Sequence, residues 1–322
     1  MFFEEIKKNK IRKDRIYGAL FGVAVGDAFG APYEFLSKEE IYNEYGKVTQ
    51  MHPDGALITG GERTTDDTAM TIAVAKGIVE DPENPEPYVG RNFLKWYKSC
   101  PPDIGRIIVT TFLYFENGEY MNLRKDNWEF PYEIWETAAK ETERKNKGMC
   151  AGNGALMRTV YPGLYYKDVN KAIQVAKNIS NMTHWDEKSA HACMLYTDMI
   201  WTMVRTEKTS PDEIWTEAEE VLAGSRYEKT LPEKLLRPTG YVVDSFHCAL
   251  YSIRSTDNFA DSIITATNMG GDSDTIAAIT GGLAGAKYGL SNIPKKWVDE
   301  LSESIRQTLN MLAKEAEKER RK

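Results

Sequence analysis

The stretch Gly270-Gly271-Asp272-Ser273-Asp274-Thr275, followed by the small apolar run Ile276 to Ala286, restricts this chain more than any other. Two carboxylates and a hydroxyl stand at the start of a helix with almost nothing polar left in it. A helix that is apolar on all sides belongs in the interior, so its acidic start is drawn inward with it. Thr64-Thr65-Asp66-Asp67-Thr68 opens a similar apolar helix much earlier in the chain. A third run, Gly18-Ala19-Leu20-Phe21-Gly22-Val23-Ala24-Val25-Gly26, is small and apolar all round and lets neighbours approach closely. We expect the two acidic helix starts to meet in space and hold metal ions.

The rest of the patterning is helical. Alternating Val/Ile/Thr runs bounded by turns are almost absent, so the fold class reads as all-α. Helices are predicted over Ile11 to Gly30, Thr68 to Glu80, Asn92 to Lys98, Ile134 to Arg144, Lys171 to Met182 and Asp186 to Arg205. Further ones are predicted over Pro211 to Leu222, Tyr241 to Ile253 and Lys295 to Arg321, with a turn-rich stretch at Gly46 to Gly61 and a polar one at Glu116 to Trp128. No linker or composition shift divides the chain. Residues 1–322 are therefore expected to form one domain, with a core at about 11–290 and a C-terminal helix at 295–321.

A net charge of -7 argues against a general nucleic-acid binder, which needs a basic face for phosphates. The basic clusters at Lys7 to Arg15 and Lys318 to Lys322 are terminal and read as solvated helix ends. Four dispersed cysteines, with no CxxC pair, suit a reducing compartment. The start MFFEEIKKNK has no signal-peptide h-region, and the longest apolar run is too short to span a bilayer. A cytoplasmic protein without a membrane partner is expected.

For the acidic stretches, the ordinary reading is helix capping, worth about 1 kcal/mol per cap. A cap needs one residue, however. Here Thr65, Asp66 and Asp67 crowd one place, and Asp272, Asp274 and Thr275 the other. Buried unpaired carboxylates cost several kcal/mol each or take up protons, and divalent cations remove that cost. An oxygen-only donor set points to Mg²⁺ or Mn²⁺ rather than zinc. With Glu34 included, five carboxylates face the four positive charges of two such ions. Two metals can activate a water and orient a substrate between them.

Taken in order, GALFGVAVGDAFGAPYEF (18–35), TTDDTAM (64–70), DIG (103–105), GNGALMR (152–158), NMTH (181–184), GYVVDSFHCAL (240–250) and GGDSDTIAAITGGLAGAKYG (270–289) resemble the ADP-ribosylglycohydrolase family. The resemblance covers nearly the whole chain. It implies an all-α fold and a binuclear Mg²⁺ or Mn²⁺ centre that cleaves the bond to C1 of the distal ribose of ADP-ribose. By motif match, Thr65, Asp66, Asp67, Asp272, Asp274 and Thr275 are implied metal ligands. Glu34 fits a mobile glutamate that ligates a metal or contacts substrate. Gly152-Asn153-Gly154 is expected to offer backbone N–H groups to a diphosphate, and His184 and Tyr241 to contact the substrate. Asp27 is assigned to structure.

Asp103 comes after a Pro-Pro stop and is expected on a loop, where its carboxylate can pair bidentately with a guanidinium. The family places this residue near the arginine end in arginine-specific members, so ADP-ribosyl-arginine on a protein is the expected substrate. Asp66 or Asp67 is expected to take the water's proton, and Asp103 to orient or protonate the leaving group. An ADP-ribosyl-serine hydrolase remains the alternative, as does a toxin-neutralising immunity protein on the same fold. A two-metal phosphoesterase is disfavoured, since its usual His/Asp ligand mix is missing.

Overall fold

The centre of the fold is a pair of antiparallel helices whose backbones touch. A computed structural model describes residues 2–117 and 128–319, with side chains from residue 8 onward. The N-terminal helix is Phe2–Gly30 and its partner is Ser273–Tyr288. Gly18, Gly22, Gly26 and Gly30 recur every fourth residue and so form one ridge of the first helix. That ridge lies on Gly285, Gly281, Ala277 and Ser273 in reverse order. A Cβ on Gly22 would stand 2.0 Å from the Gly281 carbonyl oxygen, and one on Gly26 2.0 Å from that of Ala277. This contact is why both sequences are so poor in large or polar side chains.

Other helices enclose the pair, among them Asp66–Glu80, Glu187–Arg205, Val242–Arg254, Phe259–Thr267 and Glu303–Glu319. One hydrophobic core runs from Ile16 to Ala316 and takes side chains from both ends of the chain. The fold is all-α, as expected. Among the described residues there is no strand, only isolated bridges at Ser37–Gly270 and Gly152–Tyr241. No described helix is long and apolar enough to cross a membrane.

Several expectations are corrected. The first helix begins at Phe2 rather than Ile11. Its basic stretch is not wholly solvated, because Arg15 is buried and donates to the Met203 and Thr206 carbonyls. It thereby caps the C-terminal end of Glu187–Arg205. Burial pulls the Arg15 pKa down to about 10. The C-terminal helix is two pieces, Lys295–Asp299 and Glu303–Glu319. Trp297 and Leu301 both turn into the core, and Ser302 receives the Ile305 N–H at the restart. Helices at Lys38–Tyr45, Arg106–Asn117 and Phe259–Thr267 were not predicted. Most of the polar stretch predicted at Glu116 to Trp128 lies outside the described residues.

Candidate metal and substrate site

The first acidic stretch is held by a residue from another helix. Asp27, fully buried in the N-terminal helix, accepts the Thr65 N–H at 3.0 Å, the Thr68 N–H at 3.1 Å and both threonine hydroxyls. It therefore does the work of an N-cap for Asp66–Glu80, whose own cap residue, Thr65, makes no capping bond. Burial, opposed by these hydrogen bonds, still raises the Asp27 pKa to about 6. The structural role expected for Asp27 is thus observed. Asp66 and Asp67, relieved of capping, project from the first turn.

The second stretch is placed by backbone. The Phe35 N–H donates to the Gly271 carbonyl at 2.7 Å, and the Gly271 N–H donates to the Leu36 carbonyl at 2.7 Å. Gly270 and Gly271 both have φ near 70°, and a Cβ on Gly271 would stand 1.8 Å from the Pro238 carbonyl oxygen. Only glycine fits there. Phe35 itself sits at φ 64°, an unusual conformation for a bulky residue. This short ladder sets Glu34 beside Asp272 and Asp274, and one oxygen from each of the three lies within 4.8 Å of the others.

The two stretches join through Asp67. Its Oδ2 receives the Thr65 and Thr275 hydroxyls, each at 3.3 Å. Its Oδ1 is buried without a hydrogen-bond partner. Burial, then the charges of Asp27 and Asp66, push the Asp67 pKa well up. Asp274 is raised well above its usual value by burial and by Asp67. Glu34 and Asp66 are each raised to about 8, by burial first and Asp103 second. An orphaned carboxylate oxygen amid mutually repelling acids is a site short of positive charge. Its donors are all hard oxygens, so the residues present fit divalent cations of the Mg²⁺ class.

These groups face a cavity of about 350 Å³ walled by Glu34, Asp66, Asp103, Asp272, Asp274 and Thr275 on one side and by Gly152, Asn153, Gly154 and His184 on another. Asp67 is buried and is not among the residues in its wall, and Thr65 faces a neighbouring cavity. Tyr241 is not in the wall; its ring is half-exposed, with the Lys188 ammonium 5.6 Å from the ring centroid. The Asn153 N–H is spent on the Gly240 carbonyl at 3.0 Å. The expectation of a free amide there is therefore corrected. The Asn153 side chain instead donates to Asp272 Oδ2 at 2.8 Å and to Ser245 Oγ at 2.9 Å.

His184 is buried and its pKa is driven well down, by burial and then by Arg158. The Arg158 guanidinium donates to Thr183 Oγ1 at 2.6 Å, which lies 2.8 Å from His184 Nδ1. Arg158 has only protons to give, so the threonine oxygen accepts on that side, and it links the guanidinium to the imidazole. The His184 Nε2 packs against Gly152 and Gly154. Arg158 ends the GNGALMR motif but had no role assigned from sequence, and Thr183 was merely the neighbour of a histidine. Arg106, also unassigned from sequence, is a cation in the cavity wall, at the start of Arg106–Asn117.

Comparison with known proteins agrees with this geometry. Residues 8–322 match the family model described as ADP-ribosylglycohydrolase. The chain is 28% identical to ADP-ribosylarginine hydrolase Tri1 of Serratia proteamaculans, covering 91% of this chain and 76% of that protein. It is 29% identical to the ADP-ribosyl-[dinitrogen reductase] glycohydrolase of Rhodospirillum rubrum, over 91% and 92% of the two. A solved ADP-ribosylglycohydrolase-related protein complex superposes with a TM-score of 0.74 at 25% identity, covering 95% of this chain and 99% of that one.

Proposed function

The chain belongs to the ADP-ribosylglycohydrolase family and is a hydrolase, and on that premise we propose that it removes ADP-ribose from modified proteins, with N-linked ADP-ribosyl-arginine as substrate. What carries the reading is a single cavity shared by the acidic cluster, Asp103, His184 and the Gly152–Gly154 turn. Glu34, Thr65, Asp66, Asp67, Asp272, Asp274 and Thr275 would hold two divalent cations, Mg²⁺ or Mn²⁺. When bound, such ions supply Lewis-acid chemistry, polarising ligand oxygens and making water more acidic.

The chain's own groups do the rest. Asp66 or Asp67 accepts the proton of the attacking water. Asn153 fixes the Asp272 carboxylate. His184 hydrogen-bonds the ribose, and Arg106 pairs with the diphosphate. Asp103 orients the leaving guanidinium, whose departure leaves oxocarbenium character at C1. A carboxylate is chosen for a cationic leaving group, which favours arginine over serine and agrees with the name of the Serratia relative. We also take residues 1–322 as one functional domain working in the cytoplasm, where four unpaired cysteines are at home.

The test is incubation with ADP-ribosylated arginine and serine peptides, with and without Mg²⁺. Metal-dependent release of ADP-ribose from the arginine peptide is expected. Release from serine alone overturns the linkage, and no release by the metal-loaded protein overturns the hydrolase reading.

A further inference from the structure

Ser245 lies near the start of the helix Val242–Arg254, fully buried and outside the cavity wall. It falls within the GYVVDSFHCAL motif, where sequence assigned it no role. A serine hydroxyl inside a helix commonly bonds back to the carbonyl four residues earlier. Ser252, buried in the same helix, does only that, donating to the Cys248 carbonyl at 2.8 Å. Ser245 does more. Its Oγ lies 2.6 Å from the Thr239 carbonyl oxygen and 3.2 Å from that of Tyr241, and both can only accept. The one hydroxyl proton is therefore spent on backbone. Toward Asn153 the serine oxygen accepts, taking a proton from Nδ2 at 2.9 Å. The same nitrogen gives its other proton to Asp272 Oδ2 at 2.8 Å.

We propose that Ser245 is a positioning residue for the cation site: through Asn153 it sets the direction of the Asp272 carboxylate. The proposal rests on the reading of the acidic cluster as a cation site and adds the residue that holds one ligand in place. What matters is which amide atom faces which neighbour. With nitrogen toward Ser245 and Asp272, each contact joins a donor to an acceptor. Turned over, the amide would set its oxygen against the Asp272 carboxylate and against a serine oxygen with no proton left to give. Removing the serine hydroxyl takes away one of the two anchors and strands an amide proton in the interior.

The backbone holds the same register. The Asp272 N–H donates to the Pro238 carbonyl at 3.0 Å, and the Asn153 N–H donates to the Gly240 carbonyl at 3.0 Å. One turn, 238–241, thus grips both partners of the Asn153–Asp272 bond, and Ser245 secures Asn153 from the helix that follows. Hydrogen bonds of this kind to a ligating carboxylate fix its direction, and losing them typically costs about 10- to 100-fold in metal affinity.

The experiment is calorimetric titration of the chelated, full-length protein with Mn²⁺. Four variants are compared with the parent: Ser245→Ala, Asn153→Ala, the two combined, and Ser252→Ala. Ser245→Ala is expected to weaken binding about tenfold, and Asn153→Ala by at least as much. Because Ser245 acts through Asn153, the combined variant is expected to bind no more weakly than Asn153→Ala alone. Ser252→Ala loses a similar buried hydroxyl and is expected to bind as the parent does. Ser245→Cys, which keeps a weak acceptor, is expected to fall between parent and Ser245→Ala, and it stands in if the alanine variant does not fold. Affinity unchanged in Ser245→Ala, a fall matched by Ser252→Ala, or losses that multiply in the combined variant would each overturn the positioning role. A parent that takes up no Mn²⁺ overturns the cation site itself. A parent that binds the ions, with Ser245→Ala unaltered, overturns the positioning role alone.

Discussion

Acidic helix starts do two different things in this protein. At Glu187–Arg205, Asp186 is an ordinary cap, accepting the Lys188 N–H at 2.7 Å and the Ser189 N–H at 3.4 Å. Ser37, Asp168, Ser210 and Asn258 cap their helices in the same way. At Asp66–Glu80 and Ser273–Tyr288 the cap residues, Thr65 and Asp272, make no capping bond. Capping amides of the first are served by Asp27 instead, and Asp272 is tied to Asn153. A cap stabilises its helix by about 1 kcal/mol. A buried carboxylate without a partner costs several kcal/mol. The same residue type thus supports the fold in one region and burdens it in the other, and the burden is lifted only by positive charge.

The contrast is most open to attack at the carboxylates themselves. Asp67→Ala and Asp272→Ala are each expected to lower kcat by about 10³-fold or more, several kcal/mol of transition-state stabilisation. Asp67→Ala should not lower the melting temperature of chelated protein, because it removes a buried carboxylate with an unpartnered oxygen. A fall in stability with activity intact would make these residues ordinary caps after all. Asp27→Ala comes next. It strands buried amides and hydroxyls at Thr65 and Thr68, so a loss of about 2–3 kcal/mol is expected by denaturant unfolding, with activity lost as the loop shifts. Asp186→Ala is its counterpart, expected to cost about 1 kcal/mol and to leave kcat alone.

Thr183→Val removes the hydroxyl that links Arg158 to His184 and leaves the imidazole unanchored at Nδ1. A loss of about tenfold in kcat/KM, in the range of outer-sphere support to a ligand-binding group, is expected, with metal affinity unchanged by calorimetry. The smallest effect is a slope. Glu34 and Asp66 are held near 8 in the metal-free fold, whereas unfolded carboxylates titrate near about 4. Between those values the folded chain binds more protons than the unfolded one. Chelated protein should therefore lose stability as pH rises from about 4 to about 8. Metal-loaded protein should not, since protons compete with the ions there. Melting curves with and without chelator check the sign.

Much of the site was legible because its demands are local. Small residues at 18–26 announced a buried helix that neighbours approach closely, and the structure shows that neighbour to be Ser273–Tyr288. Asp66, Asp67, Asp272 and Asp274 announced themselves by being too many for caps. What sequence did not reveal depends on contacts distant in the chain. That Asp27 would serve Thr65 and Thr68 emerges only once the first helix lies beside the first acidic start. The spending of the Asn153 N–H on Gly240 depends on a single bridge between two loops. The burial of Arg15 against the end of Glu187–Arg205 likewise had no signal in a run that reads as charged and terminal. Nor could the break at Ser302 be read, since Leu301, Ile305, Leu309 and Leu312 keep helical spacing across it.

If the two uncapped starts form one cation site, calorimetric titration of chelated, full-length protein with Mn²⁺ will show it most directly. Saturable binding of two ions per chain is predicted, with at least one lost in Asp272→Ala and in Asp67→Ala, and with Asp186→Ala indistinguishable from the parent. Absence of saturable binding, or binding unchanged in both site variants, would contradict a shared cation site.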